Sequence, residues 1–187
     1  MLKWFIRNRL AAFENKYDYD MSYAREILAA DTSAFLAFAK LGGIGAYRKD
    51  VPKNMYWAAK LTGTITEDCG PCTQLLVGMA LEAGADAKVL KAVLAHDDAA
   101  LPADALLGVT FARAALAHAP EADELREQIV KQHGQRAVIA LAFAICSARL
   151  YPTLKYALGH GKACQRVVVA GTPVVVIHPG HSGDIHV

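Results

Sequence analysis

The chain has 187 residues, enough for one domain with a substantial core. Hydrophobic residues make up 54% and charged residues 20%, which excludes an intrinsically disordered chain. A net charge of +2, with no cluster of lysines and arginines, leaves no electrostatic footprint for nucleic acid.

Punctuation along the chain predicts helices nearly throughout. Residues 2–13 place Leu2, Phe5, Ile6 and Leu10 at helical spacing, among Lys3, Arg7 and Arg9. This amphipathic segment is expected to pack on the body or on a partner subunit. A membrane-surface helix is the sharper alternative. Ser22 is expected to cap a helix over 23–30. Asp31 or Thr32 opens a third helix, which Gly42-Gly43 ends. Pro52 suits the first turn of a helix carrying Met55, Tyr56, Ala58, Ala59 and Thr62.

After Glu67-Asp68-Cys69-Gly70-Pro71-Cys72, the apolar residues Leu75, Leu76, Met79, Ala80 and Ala83 recur at three and four residues, up to a stop at Gly84. Asp86 caps a helix through Val89, Leu90, Val93 and Leu94. Pro102 begins a helix over 103–118, and Pro120 blocks its continuation. Leu125 and Ile129 mark a short helix ended by Gly134. A long helix through Val138, Leu141, Ile145 and Arg149 is expected to stop at Pro152. The tail differs: Val167-Val168-Val169 and Val174-Val175-Val176-Ile177 flank Gly171-Thr172-Pro173 and predict extended segments or a hairpin. The expected organisation is an N-terminal helical segment (1–50), a helical core (51–166) and an extended tail (167–187).

No window reaches the ~18 uninterrupted apolar residues of a membrane span. Residues 1–10 make a poor signal peptide, lacking a long apolar run and a small-residue cleavage site. The expectation is a cytoplasmic protein without membrane attachment. In a reducing compartment, a close cysteine pair points to catalysis or metal binding rather than a permanent staple.

Four cysteines occur: Cys69, Cys72, Cys146 and Cys164. The spacing of Cys69 and Cys72 lets their sulfurs approach within disulfide range. At a helix start, unpaired amides and the helix dipole favour a thiolate. One cysteine then attacks, and the other resolves the mixed disulfide or sulfenic acid. Glu67 is the favoured proton relay; alternatively, Glu67 and Asp68 are solvent-facing residues before a helix start.

A structural zinc site needs about four protein ligands, and no second Cys-x-x-Cys accompanies this one. His178 and His181 are three apart in the tail, but the expectation is no metal and no cofactor. Cys146 lies in the apolar run 142–148 and is expected to pack in the core. His118 and His133 fall at predicted helix C-termini, where positive charge is favoured.

Over residues 50–161 the sequence resembles the alkylhydroperoxidase D and carboxymuconolactone decarboxylase family. The resemblance rests on Ala58-Ala59-Lys60 leading to Glu67-Asp68-Cys69-Gly70-Pro71-Cys72, on Ala80 and Gly84, on Phe111-Ala112-Arg113-Ala114, and on the 137–149 helix. It implies an all-α bundle that assembles as a homo-oligomer (trimer, hexamer or dimer). In the peroxidase branch the dithiol reduces hydroperoxides, with electrons from a dithiol partner. Carried over, Cys72 is the peroxidatic thiol and Cys69 the resolving one. Two departures stand out. The branch has a histidine four residues after the second cysteine, where this chain has Leu76. It also has a glutamate well upstream, whereas Trp57 stands twelve residues before Cys69. The usual relay is missing or rebuilt around Glu67. The decarboxylase branch lacks the dithiol and ranks below a redox role.

Two rivals remain at this point. Cys-Gly-Pro-Cys is also the thioredoxin signature, and Gly171-Thr172-Pro173 looks like the loop that presents a cis-proline beside such a dithiol. That fold needs a strand feeding into Cys69, and residues 62–66 are only weakly strand-like. The other rival is a non-enzymatic oligomer with an apolar ligand pocket lined by Met55, Tyr56 and Trp57, residues that serve equally well as ordinary core. The reading favoured is a dithiol oxidoreductase reducing hydroperoxides or disulfides, with site residues Cys69, Cys72 and Glu67.

Overall fold

The computed structural model describes residues 1–162 and 166–177. Among the described residues, nine α-helices and one two-stranded hairpin make up the fold. Cys164, His178, His181 and His186 lie outside them.

Helix α4 (Lys53–Ile65) is the centre. Every residue from Met55 to Ile65 is buried, as expected of a helix enclosed on all sides. It packs chiefly on α7 (Ala103–Leu116) and α9 (Gln135–Ala157), with α6 (Ala87–Leu94) and α5 (Gly70–Glu82) against its remaining sides. The α4–α7 contact is close enough to require glycine: a Cβ on Gly108 would stand 2.7 Å from the Met55 carbonyl oxygen. Helix α8 (Glu121–His133) closes the far side through Ile129.

The first 50 residues form a separate apolar layer. Ile6 and Leu10 of α1 (Leu2–Tyr17), Tyr23, Ala24 and Leu28 of α2 (Ser22–Ala30), and Phe35 of α3 (Thr32–Lys40) cluster with Leu75 of α5 and Leu154 of α9. Trp4 and Phe5 on the outer side of α1 are exposed. Strands β1 (Arg166–Val169) and β2 (Thr172–Val175) pair antiparallel across Ala170-Gly171. Val167 and Val169 are buried while Val168 is exposed, the alternation a strand imposes. Gln74 ties the hairpin to α5: its Nε2 donates to the Val168 carbonyl at 3.1 Å, and its Oε1 accepts from the Val168 amide at 2.7 Å.

Several caps follow the sequence. Asp31 and Asp86 accept from the amides of Ser33 and Lys88, the second helical residue in each case. Four expectations are corrected. Ser22 is inside α2 and its amide bonds the Asp20 carboxylate, a stronger acceptor than a hydroxyl. Gly42-Gly43 does not end the third helix abruptly; the chain tightens into a 3-10 turn over Leu41–Ala46. Pro152 lies inside α9, which runs on to Ala157. An interior proline costs about 3 kcal/mol. The turn beyond it offsets that cost by burying Pro152 and packing Leu154 on the N-terminal layer. Cys146 is exposed, not core, because α9 buries only part of its apolar circumference.

Helix α9 is long and apolar enough to cross a bilayer by length and composition, but half of its most apolar window is buried inside the fold. The segment entering the dithiol is helix α4 and not a strand, and no cis peptide bond occurs among the described residues. The strand a thioredoxin fold requires there is therefore missing.

Candidate functional site

Cys69 is the N-cap residue of α5, with Pro71 in the first turn, so Cys72 stands in that turn. The two sulfurs are joined as a disulfide, with Cα atoms 5.3 Å apart. The loop before them is held from the far end of the chain. Tyr156 Oη donates to the Asp68 carbonyl at 2.7 Å, and the Gly70 amide donates to the Lys162 carbonyl at 3.2 Å. The Thr73 amide and hydroxyl both return to the Cys69 carbonyl.

The two cysteines differ in access. Cys69 is 0% exposed, whereas Cys72 is 6% exposed and faces a cavity of about 370 Å³. That is at the small end of ligand-site volumes, roughly 300–1,000 Å³. Gly42, Ala46 and Arg48, all exposed, line the cavity and give it a mouth. Its apolar wall includes Phe13, Phe38, Leu75, Leu76 and Met79.

The polar groups of the cavity come from distant segments. Tyr19 Oη is 3.6 Å from Cys72 Sγ, and Lys155 Nζ donates to Tyr19 Oη at 3.4 Å. Lys155 is 2% exposed, with its ammonium over the Tyr19 ring at 4.6 Å and the Tyr23 ring at 5.5 Å. Burial holds the Lys155 pKa below the usual lysine range, and Asp20 and Lys162 act on it in opposite directions. Burial pushes the Tyr19 phenol up to about 12, so it stays protonated and able to donate.

A second cation enters from α4. Lys60 is 9% exposed; its Nζ donates to the Gly45 carbonyl at 3.3 Å and to Tyr56 Oη at 3.4 Å. A Cβ on Gly45 would stand 2.8 Å from Lys60 Nζ and 2.9 Å from Ser147 Oγ, so a larger residue there would displace the lysine head. Burial, and then the nearby Arg48 charge, lower the Lys60 pKa to about 8. Arg48 lies over the Trp57 ring at 4.5 Å and the Tyr56 ring at 5.1 Å. Among the described residues, no aspartate or glutamate lines this cavity.

Glu67 sits elsewhere. Its carboxylate is held by the Arg149 guanidinium and by Thr153 Oγ1, the latter at 2.9 Å. Both partners line a groove on the opposite side of α9, and Glu67 itself does not line the dithiol cavity. Met55, Tyr56 and Trp57 are buried core residues, at most 1% exposed, and line none of the cavities described. Among the described residues, no group of three histidine, cysteine, aspartate or glutamate side chains stands together as a metal site.

Sequence reasoning missed Tyr19, Lys60, Arg48 and Lys155. Lys60 had one signal, a charged residue amid a helical run otherwise apolar enough to be buried. Comparison with known protein families, curated proteins and solved structures finds no match for this chain.

Proposed function

We propose that the protein is a dithiol oxidoreductase of alkylhydroperoxidase type, with Cys72 as the attacking thiol and Cys69 as the resolving one. The observation that carries this reading is the asymmetry of the pair: Cys72 opens onto a cavity and contacts Tyr19, whereas Cys69 is sealed.

The reduced Cys72 thiolate attacks the terminal oxygen of a hydroperoxide. The O–O bond breaks, the departing alkoxide takes a proton to give the alcohol, and Cys72 becomes a sulfenic acid. Cys69 then attacks the Cys72 sulfur and displaces water, closing the disulfide. An external dithiol returns both electrons and both protons, leaving as its own disulfide. The helix N-terminus and the Lys155 charge behind Tyr19 favour the thiolate. Tyr19, in contact with the reacting sulfur, supplies the hydrogen bond and the proton path that the sequence suggested for Glu67. Lys155 is a positioning residue acting through Tyr19.

The cavity favours a small hydroperoxide over a protein disulfide, because a sulfur that is 6% exposed is out of reach of a folded partner. The reductant must likewise be a small dithiol. The same reading includes a homo-oligomer, for which exposed Ile139 and Phe143 on α9 offer apolar surface.

The test is consumption of cumene hydroperoxide with dithiothreitol as the electron donor. Wild type is expected to turn over and Cys72→Ser to fall to background, while reduced Cys69→Ser, challenged after the dithiothreitol is removed, is expected to form one sulfenic acid per chain and stop. A wild type that consumes no hydroperoxide, or a Cys72→Ser variant as active as wild type, would refute the assignment.

A further inference from the structure

Buried ammonium groups are costly without a counter-ion, and proteins keep them where a ligand or a reaction needs them. Lys60 is such a group. An ammonium has three donors. Two of those on Lys60 meet neutral oxygens, Gly45 O at 3.3 Å and Tyr56 Oη at 3.4 Å, the second already donating to Gly45 O at 2.6 Å. Neither acceptor carries charge. Arg48 adds a second cation at the same wall. Its guanidinium carbon lies 4.5 Å from the Trp57 ring centre and 5.1 Å from the Tyr56 ring centre, a planar cation at the wall of the same cavity. Among the described residues, neither cation is paired with a carboxylate.

Five further residues give the wall an apolar stretch. Phe13, Phe38, Leu75, Leu76 and Met79 line the same cavity as Lys60, Arg48 and Cys72. Aromatic rings and methionines fit a flexible hydrocarbon body without demanding one shape.

We propose that the cavity takes an apolar-tailed carboxylate, of the class of fatty-acid hydroperoxides, with its head group on Lys60 and Arg48 and its hydrocarbon along the apolar wall. This rests on the hydroperoxide reading for its chemistry, but the binding itself needs no turnover. The head group fixes the chain, and a peroxide group carried along it is presented to Cys72. The reaction is the one given above, with the fatty-acid alcohol as product.

Binding of decanoate and of decanol to the oxidised protein, followed by tryptophan fluorescence and calorimetry, tests the proposal. Decanoate is expected to bind about tenfold tighter than decanol, through charge-assisted hydrogen bonds. Lys60→Met is expected to abolish that preference. Arg48→Gln, at an exposed position that leaves folding intact, is expected to reduce it about threefold. Equal binding of the two ligands, a preference unchanged in both variants, or no decanoate binding would overturn the proposal. If decanoate binds in the expected way while the wild type consumes no hydroperoxide, the carboxylate site stands and the peroxidase reading fails. If hydroperoxide is consumed but decanoate does not bind, the reverse holds.

Discussion

Helix α9 separates two concavities of unlike chemistry, and each contains a cysteine. On the inner side, Ser147, Ala148, Tyr151 and Pro152 face the cavity of Cys72. On the outer side, Ala142, Cys146, Arg149 and Leu150 line an open groove. Cys146 is the more exposed thiol, and Cys72 is nearly buried. Exposure alone would rank Cys146 as the reactive one. Electrostatics rank them the other way. The cation of the outer groove, Arg149, is already satisfied by Glu67. The inner cavity holds Lys60 and Arg48 without an acid, and Tyr19 touches Cys72 with Lys155 behind it. Thiolate chemistry follows local charge and donors, which only the inner site supplies.

The largest effect expected from breaking this contrast is loss of the inner thiol. Cys72→Ser should reduce hydroperoxide turnover to the uncatalysed background, because among the described residues no other thiol lines the cavity. The check is steady-state consumption of cumene hydroperoxide. Turnover surviving in Cys72→Ser but lost in Cys146→Ser would move the site to the outer groove.

Next in size is the cost of keeping Lys60 charged in the interior. Its pKa falls from 10.5 to about 8 on folding, equivalent to about 3 kcal/mol at 1.36 kcal/mol per unit. The sign is destabilising. Below pH 8 both states are charged and the full penalty applies. Between 8 and 10.5 the unfolded chain holds the extra proton, so wild-type stability rises with pH; above 10.5 the penalty is gone. Lys60→Met should therefore be more stable than wild type at pH 7 by about 3 kcal/mol, less any packing mismatch. Denaturant midpoints at pH 7 and pH 10.5 should show the advantage shrinking. Taking the difference between the two chains cancels Arg48, Tyr56 and the other titrating groups. A variant less stable at pH 7 would mean Lys60 is a structural post rather than a retained functional charge.

Much of the fold was legible because its signals are local. Asp31, Asp86, Pro102 and Gly134 mark their boundaries within a residue or two, through capping and proline geometry. The β-branched tail gave the hairpin in the same way. The dithiol was legible as chemistry, since three residues of spacing suffice. Its surroundings were not. Tyr19 and Cys72 are 53 positions apart, and Lys155 and Tyr19 are 136 apart; no periodicity links such residues. Lys155 was hidden further by Pro152, whose local rule ends the helix one turn too early. Cys146 was misplaced because α9 is apolar around most of its circumference, so the sequence does not say which side faces solvent.

A smaller effect isolates the hydrogen bond itself. Tyr19→Phe keeps the ring that covers Lys155 and removes only the hydroxyl. A hydrogen bond of this kind is worth about 1 kcal/mol, so turnover should fall roughly fivefold. The pH at which the reduced protein shows thiolate absorbance should rise, since a donor to the ionised sulfur is gone. A slower enzyme with an unchanged thiolate titration would place Tyr19 on the substrate side of the reaction instead.

The smallest effect belongs to the outer cysteine. Cys146→Ser removes an exposed sulfur from a groove whose Arg149 is already paired with Glu67, so turnover should change by less than about threefold and stability by less than about 0.5 kcal/mol. Access and reactivity can then be separated in one experiment. In the oxidised protein, iodoacetamide should label Cys146, because the inner pair is closed as a disulfide. After reduction, a further label should appear on Cys72 and form faster than that on Cys146, despite the lower exposure. Mass spectrometry of the digested chain, with Cys146→Ser as the blank, distinguishes the two positions. If Cys146 reacts faster than reduced Cys72, the inner cavity does not activate its thiol, and the contrast between the two faces of α9 is one of access alone.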